Sequence, residues 1–273
     1  MKQGARAAVT RAGYRGADRR TTGTPAFPAR RAAAPAAFLA AAGAVAAAVL
    51  PSATVRLSIP ESSTAALTGG ATVVVFAAAG MLAWIRFRLA GDALSGAVGL
   101  VLLLQGTVAL PLATVAPLLI APTIALPGVQ LVTGGVVLAV CASAARAPQV
   151  DSGYAFARRY LVLSSGSILT AAALGRWPAL TDVLGHPLLG LPAVDLMLAL
   201  VATLVAARLA AAGWRRDRGV LVATAAAVLA LGGGRVLRAV GLTGLPGFPL
   251  GAAALHLTAA AVVLLAVVAD LRL

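Results

Sequence analysis

The chain has 273 residues, of which 60% are hydrophobic and 11% charged, with a mean hydropathy of +0.96. A soluble domain carries roughly a quarter charged residues to cover its surface, so this composition excludes a water-soluble globule and predicts an all-α, polytopic integral membrane protein. The net charge of +14 comes from 21 arginines and one lysine against eight acids; these basic residues adjoin apolar spans without a base-stacking aromatic platform, so they fit membrane orientation rather than nucleic-acid binding.

Residues 1–31 are rich in Arg, Gly, Ala and Thr and lack apolar periodicity, which predicts a disordered basic cytoplasmic tail lying against anionic lipid. Residues 32–273 are then one helical membrane domain. A helix needs about 20 apolar residues to cross the hydrocarbon core, and the intervals Ala32 to Val55 and Ser62 to Ile85 each hold 24 uncharged residues, enough for one span apiece. Ala32 to Val55 also fits the apolar region of an export signal behind Arg30 and Arg31, cleaved near Pro51 to Ala53. Its length and the extended basic tail favour an uncleaved first helix.

Ala93 to Ala145 is uncharged over 53 residues and broken by Pro111, Pro117, Pro122 and Pro127, which predicts helices near 94–115 and 126–145. A fifth span is expected from Tyr160 to Gly175, ahead of Arg176, Trp177 and Pro178. A sixth runs over roughly 189–210, with Asp195 inside it and Arg208 near its end. The seventh follows Arg218 to about Val240, and the eighth runs from about Pro249 to Ala269. With the N-terminus inside, alternating crossings place 18 Lys and Arg on the inner side and four (Arg56, Arg176, Arg235, Arg238) on the outer side. Basic residues of short loops stay in the cytoplasm, so both termini are expected there, in a multi-pass protein of the plasma membrane.

Ionisable residues within spans are costly and commonly face a protein interior or a water-filled cavity. Asp195 and Arg235 lie about 7 Å inside the outer ends of spans six and seven, and His256 about 10 Å inside the outer end of span eight, at 1.5 Å per residue. The shared depth predicts an outward-facing pocket in which Arg235 pairs with Asp195 while His256 reports protonation or binds a ligand. The plainer reading has Asp195 and Arg235 neutralising each other, Arg238 reaching the headgroups, and His256 bonded to a neighbouring backbone group. Gly232, Gly233 and Gly234 would loosen or break span seven beside such a cavity. Gln105, Thr107, Gln130 and Thr133 in spans three and four suit interhelical hydrogen bonds, and small residues such as Gly69, Gly70, Gly96, Gly99, Gly134 and Gly135 suit close helix approach.

Catalytic templates are missing. There is no phosphate-binding P-loop and no His-Glu-x-x-His metal site, Glu61 is the only glutamate, and Asp182 with His186 stands in an outer loop without a nucleophile. Cys141, the single cysteine, excludes an internal disulfide and, with only two histidines, the usual zinc frameworks; it reads as a small apolar packing residue. No catalytic residue, metal or cofactor is therefore expected.

The run Trp84, Ile85, Arg86, Phe87, Arg88, Leu89, Ala90, Gly91, Asp92, followed by an apolar helix through Gln105 to Pro111, resembles the membrane-embedded input region of actinobacterial multi-span sensor histidine kinases. The ending Val267, Val268, Ala269, Asp270, Leu271, Arg272, Leu273 resembles the last span before a cytoplasmic signalling helix in that family. The resemblance implies a noncatalytic, sensor-like input module acting through a cytoplasmic or membrane signalling partner, with the kinase core absent from this chain. The family's ATP site uses an asparagine for magnesium, and this chain has none. A small transporter or permease subunit, or a structural assembly protein, are the alternative expectations.

Overall fold

The structure, a computed structural model, describes residues 27–57, 61–112, 126–146, 152–176, 191–241 and 248–271. They form eight helices: α1 (Ala29–Leu57), α2 (Glu61–Ala90), α3 (Ala93–Leu104, continued by a π-helical turn over Gln105–Ala109 and a helical end at 110–112), α4 (Leu126–Arg146), α5 (Gly153–Arg176), α6 (Leu191–Arg215), α7 (Gly219–Gly241) and α8 (Phe248–Leu271). No strand occurs among the described residues. Seven of these helices are long and apolar enough to cross a membrane, which makes the chain a multi-pass membrane protein; α5, with Arg158 and Arg159 in its second turn, falls outside that set.

The contacts close a ring in the order α6, α7, α8, α2, α3, α4 and back to α6. Helix α1 lies outside it against α7 and α8, and α5 lies outside it against α4 and α3. The inward faces carry the main apolar core, with Phe76, Val98, Leu104, Leu209, Leu221 and Val263 almost fully buried. Outward faces carry large apolar side chains such as Phe38, Leu67, Leu161 and Leu200, each more than half exposed, as expected of side chains that face lipid instead of water.

Two close approaches depend on missing side chains. A Cβ on Gly106 would lie 2.7 Å from the Ala77 backbone nitrogen, and one on Gly80 would lie 2.8 Å from the Leu103 backbone nitrogen. Helices α2 and α3 therefore meet backbone to backbone, the arrangement small residues permit in membranes. Of the glycines expected to allow close approach, Gly99 does so against the Trp84 and Gly80 backbone, Gly134 instead makes room for the side chains of Arg235 and Leu198, and Gly69, Gly70 and Gly135 face open space.

One end of the bundle is tied together by polar contacts, and it gathers the start of α1, the α2–α3 turn, the end of α4, the α6–α7 turn and the end of α8. The Phe27 backbone N–H donates to Asp270 Oδ1 at 3.1 Å, Ala29 N–H to Asp217 Oδ1 at 2.9 Å, and Gly219 N–H to the Phe27 carbonyl at 2.7 Å. Helix α1 thus begins at Ala29 and is anchored from Phe27 onward, so the boundary expected at residue 31 falls within the helix; residues 1–26 lie outside the described residues. Arg86 and Asp270, both buried, form an ion pair with Nε 2.8 Å from Oδ2, at an angle that is not a directed hydrogen bond.

The Trp84 to Asp92 run builds this end. Trp84 and Phe87 each place their ring 6.2 Å from that of Phe156 at the start of α5, and Arg88 lies 5.9 Å over the Trp84 ring. Gly91 takes φ +66° at the turn, and Asp92 caps α3 by accepting from Leu94 N–H at 3.2 Å and from Ser95 Oγ at 2.9 Å. From there α5 follows α4 to the opposite end, where Ala171 is buried against Val129. Helix α5 starts seven residues before the expected Tyr160, because Arg158 and Arg159 belong to the helix rather than to the loop before it.

The α2–α3 contact generates a direct expectation. Gly106→Leu places a side chain where the Ala77 backbone stands, and overpacking of this kind costs about 1–3 kcal/mol. Thermal unfolding of the variant in nanodiscs is expected to shift downward, whereas Gly135→Leu, which meets open space, is expected to leave the midpoint nearly unchanged.

Candidate functional site

At the end opposite the tied one, the ring encloses a polar node between α4, α6 and α7. Asp195 sits in the second turn of α6 on the buried stripe it shares with Leu198, Ala202, Val205 and Leu209, and it has no exposed surface. Ala199 and Ala202 on that stripe meet Gly232 of α7, where a Cβ would lie 3.2 Å from the Ala202 Cβ. This small-residue seam draws α6 and α7 close enough for side chains one turn further along to reach the carboxylate.

Two arginines reach it. Arg235 Nη1 donates to Asp195 Oδ1 at 3.1 Å, and Arg238 Nε donates to Asp195 Oδ2 at 2.7 Å. Arg238 Nη2 contacts Asp195 Oδ1 as well, making its grip two-pronged, and also contacts Gln130 Oε1 of α4. A spacing of three residues puts both arginines on one face of α7. Helix α4 answers with a matching face: Gln130 meets Arg238, and four residues on, Gly134 seats Arg235, whose Nη2 lies 2.8 Å from where a Cβ would be.

The expected pairing of Asp195 with Arg235 is present, while Arg238, expected at the headgroups, instead makes the more extensive contact with the same carboxylate. The triple glycine does not break its helix, since α7 runs unbroken from Gly219 to Gly241; Gly232 serves the α6 seam, and Gly234 leaves room for His256 of α8. The irregular helix is α3, whose π-helical turn begins at Gln105. Turns of this kind are frequent at functional sites.

A cavity of about 50 Å³ adjoins the node, lined on its polar side by Gln105, Gln130, Thr133, Arg235, Arg238 and His256. That volume exceeds the roughly 10–15 Å³ needed for one water and suits a few waters or a small ion. His256 lines it from α8, its Nε2 lying 2.7 Å from where a Cβ on Gly234 of α7 would be. Counted from their helix ends at 1.5 Å per residue, Asp195, Arg235, Gln130 and Gln105 lie about 6–10 Å deep and His256 about 12 Å deep.

The electrostatics are unequal: two guanidinium groups face one carboxylate, and the Gln130 oxygen accepts from Arg238 as well. Arg235 and Arg238 keep 20% and 28% of their side-chain surface exposed against none for Asp195, so the surplus positive charge faces the open side. Sequence reasoning named Asp195, Arg235 and His256; it assigned Gln105, Gln130 and Thr133 to packing and Arg238 to the interface. The i, i+3 phase of Arg235 and Arg238 and the i, i+4 phase of Gln130 and Gly134 were the available signals.

Of the remaining residues singled out, Thr107 turns away from the cavity, bonding the Leu103 carbonyl at 2.6 Å and the Tyr160 hydroxyl at 2.7 Å. Cys141 is buried in the main core. Asp182 and His186 lie outside the described residues, as does the side chain of Glu61. Comparison with protein families, with curated proteins and with solved structures finds no match to this chain.

Removing Asp195 strands two arginines in the bundle, and breaking a buried ion pair costs about 3–5 kcal/mol. Asp195→Asn is expected to lower the thermal midpoint in nanodiscs more than any other single change at the node. Arg238→Gln, which forfeits the two-pronged contact and the Gln130 bond, is expected to cost more than Arg235→Gln. Equal midpoints for these two variants would contradict the unequal roles assigned to the arginines.

Proposed function

We propose that this chain is a noncatalytic, sensor-like signal-input module of the plasma membrane, whose polar cavity receives a small anion from the outer side and whose tied end acts on a cytoplasmic or membrane partner. The observation that carries the reading is the surplus of guanidinium over carboxylate beside a small polar cavity. Charges are kept inside membrane helices at a cost that function commonly explains, and a site with one uncompensated cation favours an anion.

The orientation follows from charge. The tied end carries Arg30, Arg31, Arg86, Arg88, Arg146, Arg158, Arg159, Arg215, Arg216 and Arg218 at or near helix termini, and a basic end belongs in the cytoplasm. Successive helices begin at alternate ends, and α5 follows α4 along its length, which supports eight crossings with residues 27 and 271 on the inner side. The bonds from Phe27 and Ala29 to Asp270 and Asp217 favour a retained first helix over a cleaved one.

The sensor reading fits the interior better than transport does. Between the cavity and the basic end, the described part of the ring is filled by apolar side chains including Val98, Val205, Leu209, Leu221, Val263 and Val267, which disfavours a polar route for a solute. Helix α8 meets the cavity at His256 and the tied end at Asp270. A ligand that shifts α8 by a fraction of a turn would thereby disturb the contact that holds the start of α1. The resemblance of the Trp84 to Asp92 and Val267 to Leu273 segments to sensor input regions points the same way.

In nanodiscs, sodium chloride, nitrate and formate at matched ionic strength are expected to raise the thermal midpoint saturably, as any ligand of the folded state does. Arg235→Gln should abolish the effect, and His256→Ala should alter the order of preference among the three anions. Amide hydrogen exchange around residues 27–31 and 264–271 should change on anion addition, and liposomes containing the protein should show no anion flux above empty ones. Anion flux dependent on Arg235 would instead establish a transporter, and no anion-dependent stabilisation would remove the site. For orientation, in a Cys141→Ala background a cysteine at Ser62 is expected to react with an impermeant reagent on intact cells and one at Arg216 to be spared; the reverse result overturns the topology.

A further inference from the structure

We propose that the groove between α4 and α6 at the basic end is a binding site for an anionic phospholipid. Four arginines, Arg146, Arg208, Arg215 and Arg216, surround a concavity of about 890 Å³ floored by alanines such as Ala142 and Ala211. Among the described residues, no acidic side chain lines it and none of the four arginines has an acidic partner. Arg216 is fixed at the rim by donation from Nη2 to the carbonyls of Ala145 at 3.3 Å and Arg146 at 2.6 Å, where it also satisfies the last turn of α4. The groove is therefore built, roomy and strongly positive.

The apolar surface leading to it selects a lipid over a soluble anion. On α6, Leu196, Leu200 and Leu204 repeat every four residues, are 49–63% exposed, and continue in phase to Arg208. On α4, Gly135, Ala139 and Ala142 share one face that leads to Arg146, and a Cβ on Gly135 would meet nothing within 4 Å. A ridge of leucines opposite a trough of small residues, ending in guanidinium groups at the level of the basic end, matches an acyl chain capped by a phosphate. Guanidinium groups bind phosphate oxygens in pairs, and basic pockets between helices on the cytoplasmic side suit anionic headgroups. This inference rests on the membrane orientation and is independent of the ligand assigned to the polar cavity.

The full chain is reconstituted in nanodiscs of phosphatidylcholine with and without phosphatidylglycerol, and lipid retained after transfer to detergent is counted by native mass spectrometry. Wild-type protein is expected to retain phosphatidylglycerol selectively and to unfold at a higher temperature when it is present. Arg146→Gln with Arg208→Gln should reduce that retention on the order of tenfold or more, since each basic residue near an anionic lipid surface contributes on the order of 1 kcal/mol. Arg158→Gln with Arg159→Gln, an equal loss of charge on α5 at the same end, should leave it unchanged, and Arg146→Lys with Arg208→Lys should keep most of it. Equal losses in the α4–α6 and α5 variants would reduce the effect to general charge attraction and overturn the site. Displacement of the lipid by millimolar inorganic phosphate would overturn the lipid assignment in favour of a soluble phosphate.

Discussion

A carboxylate with no exposed surface inside an apolar bundle must be answered by cations and hydrogen bonds, and Asp195 imposes that requirement on three helices. Its answer takes two arginines from one face of α7, the amide oxygen of Gln130 from α4, and a glycine at 134 that makes space for a guanidinium. In low dielectric these contacts are strong when complete and costly when broken. The node thus fixes how α4, α6 and α7 stand relative to one another, and the cavity exists where that standing leaves Gln105 and His256 facing the same small space. One negative charge is thereby answered by two positive ones.

The other end of the molecule is held by a different logic. There, side chains cap backbone groups: Asp270 and Asp217 accept from the start of α1, Asp92 caps α3, and Arg216 covers the end of α4. Such contacts satisfy helix ends where chains emerge from the apolar layer, and they make one unit of the segments at this end. Helix α8 bears on both ends, lining the cavity with His256 and pairing with Arg86 through Asp270. Between them the packing is apolar and glycine-tight.

Much of the helical layout was legible because charges in this chain are bunched, so the uncharged intervals are the spans. Helix α4 lies within a residue of the expected range, α6 starts two residues later and ends about five later than expected, and α8 gains one residue at its start and two at its end. Helix α5 was misjudged at its start because Arg158 and Arg159 read as loop, although long arginine stems let a helix begin before the apolar layer does. Depth within a span revealed Asp195, Arg235 and His256, but depth alone misplaced Arg238, whose helical phase with Arg235 decides where it points. Gln130 gave no sign of its partner, since an amide in a span looks the same whether it packs or binds. The Arg86–Asp270 pair joins residues of α2 and α8 that are far apart in the sequence, and the π-helical turn after Leu104 was not foreseen.

The central claim is that Asp195 is held by two arginines of unequal weight, and a pair of double-mutant cycles tests it most directly. Unfolding free energies would be measured in nanodiscs for Asp195→Asn combined with Arg238→Gln, and for Asp195→Asn combined with Arg235→Gln. Residues sharing a network couple by about 0.5–3 kcal/mol. The account predicts nonadditivity in both cycles, with the larger coupling for Arg238; additivity in the Arg238 cycle would contradict it.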